Sequence, residues 1–158
     1  MEEYRAFSNW PYGIGAGGVV FRRIKDRVEV LILWRNDPEG KTFHLPKGTL
    51  HHDETLENCA RREVEEESGA STEIVGYLGA HTRAFKYTKN GADLDINKTV
   101  HYFAMEFREF SRKHDNEHDG TEWLPIDDAR KILAESEGGR KEEFIIIDRL
   151  KDFFKLAA

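Results

Sequence analysis

Apolar and β-branched residues come in short runs along the first third of the chain. Residues 16–21 and 28–34 flank the charged stretch 22–27, a pattern that predicts an early hairpin. A third run, Phe43-His44-Leu45, is closed by Pro46 and Gly48, as a strand ending in a turn reads. The period then lengthens: Leu56, Cys59, Ala60 and Val64 fall on one arc of a helical wheel. Asp53 precedes that helix as its expected N-cap, Glu54 and Glu57 sit in or near the first turn, where the helix dipole favours acids, and Gly69 is the expected left-handed C-cap. Beyond it, 72–85 and 99–107 predict strands separated by a polar loop over 86–98, within which Asn90-Gly91 signals a turn. Residues 120–124 predict a short strand, Pro125-Ile126-Asp127-Asp128 opens a helix, and 142–156 predicts an amphipathic helix carrying Phe144, Ile145, Leu150, Phe153 and Phe154. Strands interleaved with three helices predict a layered α/β domain, with no internal repeat.

The helix after Asp53 breaks its own pattern. Glu63, Glu66 and Glu67 project within or beside the apolar arc, whereas Asn58, Arg61 and Glu65 form the opposite, solvated face. Spacings of i,i+3 and i,i+4 bring like charges within roughly 5–6 Å. Two carboxylates about 4 Å apart repel by about 1 kcal/mol in bulk water and about 4 kcal/mol at a surface-like dielectric. Charge runs on helices are usually solvated, but that reading covers only half of this one. A hard divalent cation taking oxygen ligands would relieve the repulsion.

Composition narrows the choice. At 158 residues the chain is expected to form one domain, 1–158, able to bury a core. A net charge of −6 argues against an extended nucleic-acid surface, so any nucleotide must be gripped locally. Cys59 is the only cysteine, excludes an intrachain disulfide, and falls on the apolar arc as a core residue. The acidic start, Met1-Glu2-Glu3-Tyr4-Arg5, lacks an apolar leader, and no apolar run approaches the ~20 residues of a membrane span. A cytoplasmic protein is the expectation, and oligomeric state is left open.

The acidic helix and the turn before it form a longer pattern: Gly48, five residues, Glu54, seven residues, then Arg62-Glu63-Val64-x-Glu66-Glu67-x-Gly69. This resembles the signature of the Nudix hydrolases, departing only at Ala70, where that family prefers Ile, Leu or Val. The resemblance implies an α/β/α sandwich with a mixed central sheet. It also implies Mg²⁺, with Mn²⁺ as a possible substitute, held by Gly48, Glu63, Glu66 and Glu67, and cleavage of a nucleoside diphosphate linked to another group. In that scheme Arg62 orients the carboxylates and Glu54 ties the loop to the helix. Glu66 ranks first as general base, with Glu117 and Glu122 as loop candidates. Lys47, just before the box, is a candidate phosphate contact. His81 and Arg83, at alternating strand positions, could face the same cleft.

Members acting on diadenosine polyphosphates tend to carry a tyrosine about 16–18 residues past the box, whereas ADP-ribose enzymes tend to carry a proline there. Tyr87 stands 17 residues after Ala70, and no proline lies between Pro46 and Pro125. Leu45-Pro46-Lys47-Gly48 and Thr99-Val100-His101-Tyr102-Phe103 also resemble bacterial diadenosine tetraphosphate hydrolases. The implied reaction is asymmetric cleavage of diadenosine tetraphosphate to ATP and AMP. Its rivals are pyrophosphohydrolysis of a nucleoside triphosphate, an RNA 5′ end or an inositol pyrophosphate, and, from another class, a catalytically silent nucleotide sensor.

Three other patterns fail on context. Gly13-Ile14-Gly15-Ala16-Gly17-Gly18 fits a dinucleotide-binding fingerprint but is followed by a strand pattern instead of a helix, and reads as a flexible lead-in to the sheet. Asp93-Leu94-Asp95-Ile96-Asn97 starts like a calcium loop, yet Lys98 and Ala104 stand where that loop needs Gly and Glu. His114 and His118 have zinc-like spacing in a polar segment without apolar support, which predicts a loop.

Overall fold

The computed structural model describes residues 12–111, 119–136 and 142–157. In chain order these form β1 (Tyr12–Ile24), β2 (Arg27–Asp37), β3 (Gly40–His44), β4 (Lys47–Thr49), α1 (Leu56–Ser68), β5 (Ala70–Lys89), β6 (Ala92–Phe110), β7 (Gly120–Pro125), α2 (Ile126–Glu135) and α3 (Glu143–Ala157). Among the described residues the strands make one seven-stranded sheet in the order β3-β2-β1-β6-β5, with β4 on β1 and β7 on β2. The β1–β6 pairing is parallel and the others are antiparallel, so the sheet is mixed.

Side chains alternating across each strand feed two cores. Val19, Phe21, Val30, Ile32, Tyr102 and Ala104 pack beneath α2 and α3 with Ala129, Leu133, Ile146, Ile147 and Leu150. Val20, Leu31, Phe103 and Met105 face the other way and pack with Cys59, Ala60 and Val64 of α1. Near-continuous apolar runs in β1, β2 and β6 thus reflect burial on both faces, giving the α/β/α layering. No helix among the described residues is long and apolar enough to cross a membrane.

The strand register explains how the turn before α1 reaches the sheet. Val30 pairs with both Phe21 and Leu124, and Leu33 pairs with both His44 and Thr121. β1 and β3 therefore lie end to end on one side of β2, with β7 on the other. Where β1 leaves β2, the chain from β3 runs through Leu45 and Pro46 into β4, which pairs with β1 at Gly15, Ala16 and Gly17.

Two expectations need correction here. The glycine-rich segment is part of β1 itself, hydrogen-bonded to β6 from Tyr12 onward. A Cβ on Gly17 would collide with the Pro46 carbonyl and the Lys47 backbone, so the glycine permits this crossing. The polar stretch 86–98 is not a loop: β5 and β6 run as one hairpin up to a two-residue turn at Asn90 (φ 52°) and Gly91 (φ 78°). Both turn residues have the positive φ that a type I′ turn requires. Polar residues dominate its outer part because most positions there are exposed, which removes the hydrophobic alternation that marks a half-buried strand.

Candidate functional site

The β4 crossing delivers Gly48 to the underside of α1. The Glu63 carboxylate lies against the Gly48 α-carbon so closely that any Cβ there would overlap it. Helix α1 begins later than expected. Its N-cap is Thr55, whose side chain accepts from the Asn58 amide, not Asp53, which sits in the preceding turn with φ 61°. Both residue types suit a cap, but Thr55 has the extended backbone an N-cap adopts (φ −77°, ψ 159°) and Asp53 does not. Glu54 accepts from the His51 amide (3.1 Å) and from Arg62 Nε (2.7 Å), tying loop to helix as the resemblance implies. Gly69 provides the left-handed C-cap at φ 77°.

Arg62 is the hub. Its guanidinium also donates to Glu54 Oε1 (3.0 Å), Glu63 Oε1 (2.8 Å), Glu66 Oε2 (3.2 Å) and the Thr49 carbonyl (2.9 Å). Burial works against its charge, yet the bonds it donates to Glu54 and Glu63 hold its pKa above the ordinary arginine value. The same contact with Arg62 holds the Glu54 carboxyl below its usual range. Glu63 differs: burial pushes its carboxyl up, and Arg62 only partly offsets this. Glu67 is buried and accepts from the Lys47 amide (2.7 Å), whereas the Glu66 side chain is 51% exposed. The expected carboxylate ridge is therefore graded, with Glu67 inside, Glu63 at the seam and Glu66 at the surface. Cys59 is fully buried, and burial raises its thiol to about 12, which leaves it an inert core residue.

Among the described residues no group of three or more His, Cys, Asp and Glu side chains is gathered as a metal ion would need. Glu63 and Glu66 turn instead to Arg62. The donor set nonetheless suits a hard cation. It is all oxygen, it includes the part-buried carboxylate of Glu63, whose pKa burial raises, and it abuts a glycine that leaves room for a carboxylate beside the backbone.

On the sheet face carrying α2 and α3, a cavity of about 300 Å³ opens beside the box. Lys47, His81, Arg83 and Lys98 line it, together with Val100, Tyr102, Glu142 and Glu143. His81 pairs with Val100 and Arg83 with Lys98, which brings His81 and Arg83 to the same cleft. Lys98 lies over Gly13 and Gly15 and donates to Thr49 Oγ1 (3.2 Å), linking cavity and box. Lys47 Nζ donates to Glu143 Oε1 (2.6 Å), and the other oxygen of Glu143 accepts from the Leu45 amide (2.6 Å). The row Thr49, Gly15, Val100, His81 crosses three strand spacings, so the backbone of β5 runs roughly 14 Å from that of β4.

The remaining predicted residues fall elsewhere. Glu122 is exposed on strand β7, not on a loop, and pairs with Ile32 across β2 from β1; it does not line the cavity. Glu117 and the His114/His118 pair lie outside the described residues. Tyr87 pairs with Leu94 near the hairpin tip, six residues or roughly 20 Å along β5 from His81, and its side chain lies outside the described set. Lys98, Glu142 and Glu143 escaped sequence reasoning. Glu143 meets Leu45 and Lys47 across about a hundred residues of chain, a contact with no local signature.

A family model described as the NUDIX domain matches residues 11–145. The chain is 32% identical over 144 residues to the Mycobacterium tuberculosis protein named MutT4, covering 86% of this chain and 56% of that one. It is also 32% identical over 127 residues to Nudix hydrolase 6 of Arabidopsis thaliana, covering 77% and 42%. It thus spans about half the length of the curated relatives it matches. Similar solved structures include a C. elegans Ap4A hydrolase binary complex (TM-score 0.63, 22% identity, 90% of this chain and 98% of that one). Another is the NUDIX domain of Shewanella oneidensis NrtR complexed with ADP ribose (TM-score 0.65, 15% identity, 96% and 93%). At these identities the likeness is one of fold.

Proposed function

The chain belongs to the Nudix hydrolase family, and from that premise we propose that it hydrolyses a pyrophosphate linkage in a nucleoside diphosphate derivative, with residues 1–158 acting as one domain. The favoured substrate is a dinucleoside polyphosphate, with diadenosine tetraphosphate cleaved to ATP and AMP. The observation carrying this reading is the cavity beside the acidic helix, whose lining includes Lys47 of β4, Lys98 of β6 and His81 and Arg83 of β5. Such a lining suits an extended chain of phosphates and a locally gripped nucleotide on an otherwise acidic protein.

Gly48, Glu63, Glu66 and Glu67 would hold Mg²⁺, or Mn²⁺ in its place. The bound ion supplies charge neutralisation on the phosphate oxygens and acidifies water. Lys47 and Lys98 hold the phosphates nearest the box, and His81 and Arg83 those farther out. Arg62 fixes Glu54 and orients Glu63. Glu66, the most exposed carboxylate of the cluster, receives the proton of the attacking water, its reach set by Arg62 one helical turn away. Tyr87, near the hairpin tip, is assigned to an adenine of the substrate.

A second reading, nucleotide sensing without turnover, draws on the Arg62-directed carboxylates, which are not gathered around a common point among the described residues. Chromatography of products formed from diadenosine tetraphosphate and from nucleoside triphosphates with Mg²⁺ separates the readings. Equimolar ATP and AMP are expected. Preferential conversion of a triphosphate to monophosphate and pyrophosphate would replace the substrate assignment, and binding without turnover of any nucleotide would favour the sensor.

A further inference from the structure

The cavity contains its own counter-ions, and the two differ. Glu143 is 2% exposed in its side chain and bonded through both oxygens, to Lys47 Nζ and the Leu45 amide, so it is part of the frame. Glu142 is 26% exposed, and one oxygen stands 3.6 Å from His81 Nε2 and 4.0 Å from Arg83 Nε. Both separations exceed hydrogen-bond length, so the carboxylate is attracted by the Arg83 guanidinium, stands beside the His81 ring and is locked to neither.

We propose that Glu142 is a specificity-determining residue: its carboxylate counters the charge of Arg83, beside His81, at the β5 side of the cavity and yields to an incoming phosphate, so it sets how much negative charge that side accepts. No general-base role is assigned to it, because its contacts are with His81 and Arg83 of β5 and not with the carboxylates of α1. A substrate that places no phosphate there leaves the Glu142 contacts intact; one with a longer phosphate chain must displace the carboxylate and is repelled until it does. The side chain thus discriminates by chain length and charge, through a repulsive element of the kind that specificity often requires.

The inference rests on the phosphate-binding reading of the cavity, so its test uses inorganic tripolyphosphate, which reports on the cavity without needing turnover. Calorimetric titration of the wild type, Glu142→Gln, Arg83→Gln and the double variant forms a cycle. Glu142→Gln is expected to bind tripolyphosphate about tenfold more tightly than the wild type, the scale of one screened charge contact, with the gain lost in the Arg83→Gln background. Unchanged or weaker binding by Glu142→Gln with an unaltered Tm would overturn the proposal, as would a gain that persists without Arg83. If the cycle behaves as expected but no nucleotide is hydrolysed, the hydrolase reading falls and this one stands. If diadenosine tetraphosphate is cleaved and the cycle is flat, this one falls alone.

Discussion

At Arg62, one guanidinium donates to three carboxylates and a backbone carbonyl, and the partners Glu54 and Glu63 are largely shielded from water. A lysine could keep the charge but not the planar fork that satisfies several acceptors at once. Arg62→Lys is therefore expected to cost less than the about 3–5 kcal/mol of breaking a buried ion pair, because the charge is kept, but to destabilise measurably and to lower activity as the carboxylates lose orientation. Urea unfolding checks this, and a wild-type midpoint would show that Arg62 acts only as a generic positive charge. The carboxylate anomaly was legible in the sequence because helical spacing puts Glu63 and Glu67 beside Cys59, Ala60 and Val64. What spacing could not reveal was the gradation from buried Glu67 to exposed Glu66, which depends on how β4 crosses beneath the helix.

Elements were legible where one local rule dominated. The period of α1, its Gly69 stop and the Asn90-Gly91 turn each follow from residue chemistry within a few positions. The long β5–β6 hairpin was hidden because its outer part is polar, and the N-cap is Thr55 because Asp53 adopts a positive φ in the preceding turn. The β1–β2 hairpin offers a test at this scale. Near the turn, Glu29 is buried and accepts from Arg22 (2.9 Å) and Arg27 (2.8 Å). The Arg22 hydrogen bond, opposed by burial and helped by Arg27, holds its carboxyl below the ordinary 4.5. A depressed folded-state pKa adds stability above the unfolded value and loses it as pH falls through the folded one. The wild type should therefore be more stable than Glu29→Gln at pH 7, with the difference shrinking below pH 4.5, as thermal melts across that range would show. A constant gap from neutral to strongly acidic pH would contradict the assignment.

At the scale of the whole molecule, two cores clamp the mixed sheet from both faces, and the site lies where β1 parts from β2 and lets the β3–β4 segment through. That arrangement joins an acidic helix on one face to a basic cavity on the other, with Lys47 and Lys98 as the links. The sequence announced the acidic half through a compact pattern. The basic half is assembled from β4, β5, β6 and the start of α3, and Glu142 and Glu143 join it only through tertiary packing. The position of Glu122, away from the cavity lining, has the same origin: it depends on which edge of β2 receives β7. In the proposed function, Glu63, Glu66 and Glu67 with the Gly48 carbonyl would bind a divalent cation. Titration of the protein with Mn²⁺, following the free ion by electron paramagnetic resonance, addresses this without any substrate. The wild type is expected to take up Mn²⁺ and Glu67→Gln to bind it at least about tenfold more weakly while keeping the same Tm. A wild-type protein that leaves the free Mn²⁺ signal unchanged at millimolar concentrations, or equal uptake by Glu67→Gln, would contradict the claim.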